Sequence, residues 1–364
     1  MIRDTTLSSF VHSGSPARIV FGRGSVQTVS AEVERLGCSR AVVLSTPHQH
    51  DEATRVLGTL GALGVGVVAV AEMHTPTAVT ARALIEVENF GADCIVAIGG
   101  GSTTGLGKAI AARTGLPQVV VPTTYAGSEV TPVLGETENG VKTTRRGPEI
   151  LPETVVYDPD LTDSMPIELT VASGLNAIAH AVEGTYARDG SPIYTLMAIE
   201  GLRALRDSLP ALVEAPSNQD ARDGALYGAW LCGTVLGGVG MSVHHKLCHT
   251  LGGALDLPHA QTHAIMLPHT IGFVEESVPQ TLTDVATLFG GSAGAGLHDF
   301  AVDIGAPLRL ADLGVTADQL DLVADQAIAS PYWSPRPLDR DSIRRVLQDA
   351  HEGTRPNPRS GSPA

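Results

Sequence analysis

Between Met241 and His269 the chain reads M-S-V-H-H-K-L-C-H-T-L-G-G-A-L-D-L-P-H-A-Q-T-H-A-I-M-L-P-H, and six of its thirteen histidines (His244, His245, His249, His259, His263 and His269) fall there. Near neutral pH an imidazole can ligate zinc or iron, or it can carry protons. On a helix His245 and His249 stand four residues apart on one face, and so do His259 and His263. The earlier segment G-L-N-A-I-A-H, 174–180, presents Asn176 and His180 at the same spacing. A lone histidine on an apolar helix is usually a satisfied core residue, but that does not account for six in one short segment. Spacing alone leaves two chemistries open, a metal centre or metal-free acid–base work. Cys248 sits inside the cluster. The four cysteines are scattered without a C-x-x-C pair, so reduced thiols are the expectation.

A second candidate site is made of loops. G-G-G-S-T-T-G, 99–105, follows an apolar run and opens a helical pattern. Glycines there let backbone N–H groups approach a diphosphate at a helix N-terminus, where the dipole favours negative charge. The spacing is neither G-x-G-x-x-G nor G-x-x-x-x-G-K-S, so a structural tight turn is the competing account. P-T-T-Y-A-G-S-E, 122–129, also follows an apolar run and adds hydroxyls and a tyrosine. Two polar loops at successive strand ends converge on one crevice.

The elements that must position these groups change character near residue 160. Residues 10–22 read as a strand pair. Helical patterns at 25–36, about 51–63, 77–90 and 104–113 then alternate with short apolar runs at 41–47, 65–70, 94–98 and 118–122, and a last run covers 154–159. Continuous apolar runs between amphipathic helices specify a parallel, doubly wound α/β sheet with its ligand outside the carboxyl ends of the strands. From 170 onward the patterns are helical: 170–188, 192–209, 218–239, 241–253, 259–276 and shorter ones to 351. The expectation is an α/β nucleotide-binding domain over 1–160, an all-α catalytic domain over 161–352 with the active site in the cleft between them, and a disordered tail over 353–364.

Composition excludes several functions. With 43% hydrophobic and 17% charged residues in 364, the chain is globular. A net charge of −15 argues against nucleic acid or an anionic membrane as partner. Aromatics at 4% leave no stacking platform for bases. No secretory h-region and no apolar run of membrane-spanning length are seen, and the expected location is the cytoplasm.

G-G-G-S, P-T-T-x-x-G-S-E-V-T, L-N-A-I-A-H, V-H-H-K-L-C-H-T-L-G-G, P-H-A-x-x-H-A-I-M-L-P-H and S-P-R-P-L at 334–338 occur in unbroken order between about residues 15 and 345. In this the chain resembles the iron-containing, group III alcohol dehydrogenases. That family pairs a nucleotide-binding α/β domain with an all-helical one and binds NAD(P)H in the cleft between them. Its metal-dependent members hold the ion with an aspartate and three histidines, at positions that resemble Asn176, His180, His245 and His259 here. The aspartate is thus replaced by a neutral amide, and an amide plus three imidazoles is poorly matched in charge to ferrous iron or zinc. The threonine loop also differs, with Tyr125 inserted. Both departures resemble the maleylacetate reductase branch, which reduces the carbon–carbon double bond of maleylacetate to give 3-oxoadipate in aromatic-ring degradation and is thought to work without a metal.

The resemblance implies metal-free hydride transfer onto an alkene conjugated to a ketone, with His245, His249, His180, Asn176 and His259 as the catalytic set. Without a Lewis acid the ketone oxygen needs hydrogen-bond donors, and one histidine supplies the proton. Anchors for the two substrate carboxylates are sought in His244, Lys246, Tyr125, Arg145 and Arg146; a solvated charged loop is the equal alternative for the arginines. His263 and His269 read as supporting residues. The resemblance places Gly100, Gly101, Ser102, Thr123 and Thr124 at the cofactor diphosphate and Lys142 and Leu161 toward the ribose and nicotinamide. Where NAD-strict relatives carry an aspartate this chain has Ser45-Thr46, so NADPH is expected alongside NADH. A homodimer is implied too. The rivals are a metal-dependent alcohol or polyol dehydrogenase, a lyase resembling dehydroquinate synthase, and a catalytically inert binding protein.

Overall fold

The computed structural model describes residues 10, 12, 14, 17–138, 140–329 and 332–357. Its first half is a six-stranded parallel sheet ordered β1-β8-β5-β4-β2-β3, with β1 at Arg18–Phe21, β2 at Ala41–Leu44, β3 at Gly64–Val68, β4 at Cys94–Gly99, β5 at Gln118–Pro122 and β8 at Thr154–Tyr157. The continuous apolar runs serve two cores at once, because successive side chains point to opposite faces. Val43, Val96, Ile98, Val119, Val121 and Val156 meet helices α1 (Val29–Arg35) and α2 (His50–Leu60) on one face. Val42, Leu44, Ile95, Ala97 and Val120 meet α3 (Thr77–Asn89) and α4 (Gly101–Thr114) on the other. The order reverses between β2 and β4, which places the topological switch point beside the ends of β2, β4 and β5.

Where a strand pair was expected over 10–22, the only described strand is β1. One element the sequence patterns did not reveal is an antiparallel hairpin, β6 (Val133–Glu138) with β7 (Val141–Arg146). Its residues are largely polar and threonine-rich, so it carries no apolar alternation to detect.

The second half is helical. Helix α5 (Ile167–Thr185) is buried along nearly its whole length and packs on α6 (Pro192–Glu214), α7 (Gln219–Gly238) and α9 (His259–Glu275). Helix α8 (Val243–Leu255) lies against α9, and α10 (Thr283–Phe289), α11 (Ala293–Asp303), α12 (Ala317–Ala329) and α13 (Arg340–Glu352) close the far side. Among the described residues no single helix is long and apolar enough to cross a membrane. The expected disorder from 353 onward fails for the first five residues. Thr354 N–H donates to Asp349 O, the Arg355 guanidinium grips both Asp299 oxygens at 2.7 and 2.6 Å, and Pro356 faces Gly272. Residues 358–364 lie outside the described residues.

Two glycines set how the halves meet. Gly127, at φ 75°, faces Gly233 of α7 so closely that a Cβ on Gly233 would stand 2.6 Å from the Gly127 Cα. A Cβ on Gly127 would in turn lie 3.3 Å from His180 Nδ1. Backbone meets backbone beside the candidate catalytic histidines.

Candidate active site

A cavity of about 670 Å³ opens between the sheet ends and α5 and α9, within the size range of small-molecule sites. Its sheet side is built from strand ends. Thr46 follows β2, Gly100, Gly101 and Ser102 follow β4, and Thr124 follows β5, all on the cavity wall. Gly100 is extended and caps α4; its carbonyl accepts from Thr103 and Thr104 N–H at 3.1 Å, and the N–H groups of Gly101 and Ser102 come before the first intrahelical bond. Thr123 lies just behind, where its Oγ1 accepts from Gln49 Nε2 at 3.1 Å; Gln49 Oε1 accepts in turn from Thr46 Oγ1 at 3.2 Å. Gln49 thus ties the β2 and β5 loops together, a role no sequence pattern announced.

Lys108 pins the next loop. It is fully buried on α4 and donates to Ser128 O, to Thr131 O at 2.7 Å and to Val133 O at 2.9 Å. Burial pulls its ammonium down to about 7, against the raising effect of Glu129. His74 and Thr75 also line the cavity, both with positive φ, 64° and 48°. Such backbone is strained for residues with a Cβ and is concentrated at functional sites. Thr75 fits only because position 105 is glycine, where a Cβ would meet its Oγ1 at 2.3 Å. His74 Nε2 reaches Asp256 Oδ1 at 3.5 Å, at the start of the α8–α9 turn.

The helical side carries the imidazoles. Asn176 and His180 stand one turn apart on α5, both buried, and Asn176 and His259 reach the cavity wall. The His180 and His245 ring centres are 5.2 Å apart, His245 and His263 4.9 Å, His259 and His263 4.3 Å, and His245 and His249 6.0 Å. His249 and His259 are exposed and stack at 6.2 Å. The structure thus gathers the five expected catalytic residues, with His263 at the centre of the rings. Asn176 Oδ1, His180 Nδ1, His245 Nε2 and His263 Nε2 are buried without a hydrogen-bond partner. Buried polar atoms left in that state mark a place where a polar ligand is received.

Glu183, which the sequence patterns did not single out, organises this wall. It lies one turn beyond His180 on α5 and is fully buried. Oε2 accepts from His245 Nδ1 at 2.6 Å and from Ser242 N–H at 3.0 Å; Oε1 accepts from His244 N–H at 2.8 Å and from the Tyr186 hydroxyl at 3.1 Å. Burial would raise its carboxyl, but the His245 bond and these further donors outweigh that and hold it down at about 2. The signal available was the i, i+3 spacing from His180.

Several expected anchors lie elsewhere. His244 is fully buried, with its nitrogens engaged by Thr270 Oγ1 at 2.9 Å and His263 Nδ1 at 3.0 Å, so it cannot meet substrate. Tyr125 is fully buried in the helical core with Arg222 as its charged neighbour, and its backbone N–H donates to Ser173 Oγ at 3.1 Å, so its phenol does not reach the cavity. Arg145 bonds Ala112 O and Glu149 on the hairpin, and Arg146 bonds Gly237 O, so neither guanidinium faces the cavity. Lys246, half-buried on α8, is not part of the cavity wall. Leu161 packs against the sheet core around Val156 instead of the cavity. The side chain of Lys142 lies outside the described residues. His269 is buried away from the cluster, beside His298.

Residues 16–159 match the pattern "Iron-containing alcohol dehydrogenase", and residues 170–351 match "Fe-containing alcohol dehydrogenase family, C-terminal". The chain belongs to the iron-containing alcohol dehydrogenase family. It is 60% identical over 350 residues to maleylacetate reductase from Rhizobium sp. (strain MTP-10005), covering 96% of this chain and 100% of that one. It is 51% identical to maleylacetate reductase from Burkholderia cepacia, covering 96% and 100%. The crystal structure of maleylacetate reductase from Agrobacterium tumefaciens superposes with a TM-score of 0.94 at 60% identity, again covering 96% and 100%. Like those relatives, this family member is an oxidoreductase.

The family name raises iron. At the positions that resemble its ligands this chain offers Asn176, His180, His245 and His259, with no carboxylate among them. The nearby carboxylate, Glu183, is committed to four protein donors. Among the described residues the only trio of imidazole, thiol or carboxylate donors lying within 4.8 Å of one another is His244, Cys248 and His263. The ring nitrogens of His180, His245 and His259 do not lie that close to one another, and no carboxylate completes the set.

Proposed function

We propose that this family member is a maleylacetate reductase that converts maleylacetate to 3-oxoadipate with NADH or NADPH and without a metal ion. The observation that carries this is Asn176 and His259 on the cavity wall with His180 and His245 packed beside them, where Asn176 Oδ1, His180 Nδ1 and His245 Nε2 are buried and unpartnered and the family's aspartate is an amide, opposite a glycine-capped helix N-terminus. The high identity to maleylacetate reductases along the whole chain supports the substrate.

Gly100, Gly101 and Ser102 receive the cofactor diphosphate on the N–H groups of α4, with Thr46 at the adenosine ribose and Thr123 and Thr124 steadying the adjoining loop. The bound nicotinamide supplies a hydride to the alkene carbon β to the ketone. The alkene electron pair shifts to the ketone oxygen, and the imidazoles of His180, His245 and His259 hold the charge that gathers there. One of them returns a proton to the α-carbon. In this reading the active protein is a cytoplasmic homodimer, with size-exclusion chromatography as the check on its assembly.

Spectrophotometric NADH oxidation with maleylacetate in excess EDTA tests the whole reading. Full activity is expected, one NADH consumed per turnover, with no gain on adding Fe²⁺ or Zn²⁺. Activity lost in EDTA and restored by either ion would instead point to a metal-dependent dehydrogenase. Turnover without net NADH consumption would point to a lyase.

A further inference from the structure

A second cavity, of about 260 Å³, lies between the C-terminal half of α9, helix α13 and residues 354–357, and it shares no lining residue with the first. Its mouth is charged. Arg345 and Arg355 are exposed there and Arg336 is half-buried. Two of these guanidiniums are engaged. Arg336 donates to Phe273 O and to Glu276 Oε2, both at 2.8 Å, and Arg355 grips Asp299. Arg345 forms no ion pair among the described residues and donates to Ser342 Oγ at 3.3 Å. Phe273, Val346 and Pro356 give the cavity apolar walls. Its floor is His269, which is 4% exposed and has no hydrogen-bond partner on either ring nitrogen. Burial, with the neighbouring His298 adding to it, holds this ring at about 3, so it is neutral and offers one N–H and one lone pair. Buried polar atoms left unpartnered in this way are uncommon and costly.

A molecule that answers both ends carries an anion at the mouth and a neutral polar group at the floor. The planar fork of Arg345 matches a carboxylate. Glu276 and Asp349 also line the cavity, so a multiply charged group such as phosphate is repelled more strongly than a single carboxylate. At the floor a hydroxyl suits His269 in either tautomer, because it donates to a lone pair and accepts from an N–H. A second carboxylate there could only accept, and it would bring an uncompensated charge into a buried site. The volume has room for roughly eight water-sized groups at about 30 Å³ each. We propose that this cavity is a second binding site, separate from the active site, which takes a short hydroxycarboxylate with its carboxylate on Arg345 and its hydroxyl on His269. The ligand ties α9 to α13 and to residues 354–357, so its binding stabilises the folded chain by mass action. This holds whichever substrate the first cavity takes.

Calorimetric titration of the full chain with 4-hydroxybutyrate is the test. One site with a Kd of about 1 mM or tighter is expected, and about 20 mM ligand should raise the thermal midpoint by about 2 °C or more. Arg345→Gln and His269→Phe should each weaken binding at least about tenfold, whereas His259→Ala, on the wall of the first cavity, should leave Kd within about twofold. Butyrate, which lacks the hydroxyl, should bind at least about fivefold more weakly than 4-hydroxybutyrate, and inorganic phosphate more weakly again. Should His269→Phe not fold, Arg345→Gln tests the mouth and butyrate tests the floor. The proposal is overturned if the wild type shows neither heat nor a midpoint shift, or if either folded variant binds as the wild type does. It is equally overturned if His259→Ala abolishes binding, which would put the ligand in the first cavity, or if butyrate or phosphate binds as tightly as 4-hydroxybutyrate.

Discussion

The two walls of the cavity solve opposite problems. The sheet wall presents backbone N–H groups, hydroxyls and glycines, and the buried Lys108 behind it is spent on holding a loop. The helical wall is made of imidazoles held by a carboxylate, so its behaviour depends on protons. In the proposed reaction a diphosphate would be bound by geometry that must not change during turnover, whereas a proton would be taken up and released in every cycle. Placing these tasks on separate walls lets the chemistry alter without loss of cofactor binding.

Replacing His245 by alanine should break the comparison most clearly, with kcat falling roughly 10²–10⁴-fold while NADH binding by fluorescence titration stays within about twofold. An equal loss of NADH affinity would mean that the walls are not independent. Acid should act on the helical wall next. Burial, with His245 and His298 adding to it, holds His244 and His269 at about 3 against an ordinary 6.5. Below pH 6.5 the unfolded chain binds protons that the folded chain does not, so stability falls as pH drops from 6.5 toward 3, by up to about 1.4 kcal/mol per pH unit for each group. Glu183, at about 2 against 4.5, adds a loss in the same direction below pH 4.5. Lys108 acts at the other end. Held at about 7 against 10.5, it makes stability rise with pH between those values. Calorimetric midpoints across pH should show the acid slope reduced in His269→Gln and the alkaline rise lost in Lys108→Met.

On the sheet wall, Gly99→Val should raise the KM for NADH about tenfold, or about 1.4 kcal/mol, with kcat at saturation nearly unchanged. Gly99 has φ 147°, and a Cβ there would meet Thr103 Oγ1 at 2.5 Å and Gln49 Oε1 at 2.8 Å. The smallest effect is expected at Thr46. The ratio of kcat/KM for NADH over NADPH should lie below about a thousand-fold, roughly 4 kcal/mol, and Thr46→Asp should raise it a few-fold by repelling the 2′-phosphate.

Much of this was legible in the chain for physical reasons. A buried parallel strand is apolar on both faces, so 94–98 and 118–122 stand out, and a glycine turn after such a strand advertises a helix N-terminus. The imidazoles could be gathered because helical spacing predicts a shared face. Spacing does not tell which neighbouring helix a face meets, and for that reason His244 looked like a substrate anchor when its partners are Thr270 and His263. Glu183 was hidden likewise, since its partners lie about sixty residues further along the chain, at Ser242, His244 and His245. Tyr125 and the paired arginines were weighed by what their functional groups can do, but burial and hairpin contacts decide where those groups point.

The contact between Gly127 and Gly233 has a mechanical meaning. With no side chain between the two halves, nothing there can be compressed or swapped to bring the walls closer. In the proposed reaction the gap between hydride donor and proton donor would be a fixed gauge, set by main-chain thickness. A protein on this frame acquires a new reaction by exchanging the tools mounted at fixed stations, as the amide at position 176 illustrates, and not by resizing the workpiece opening.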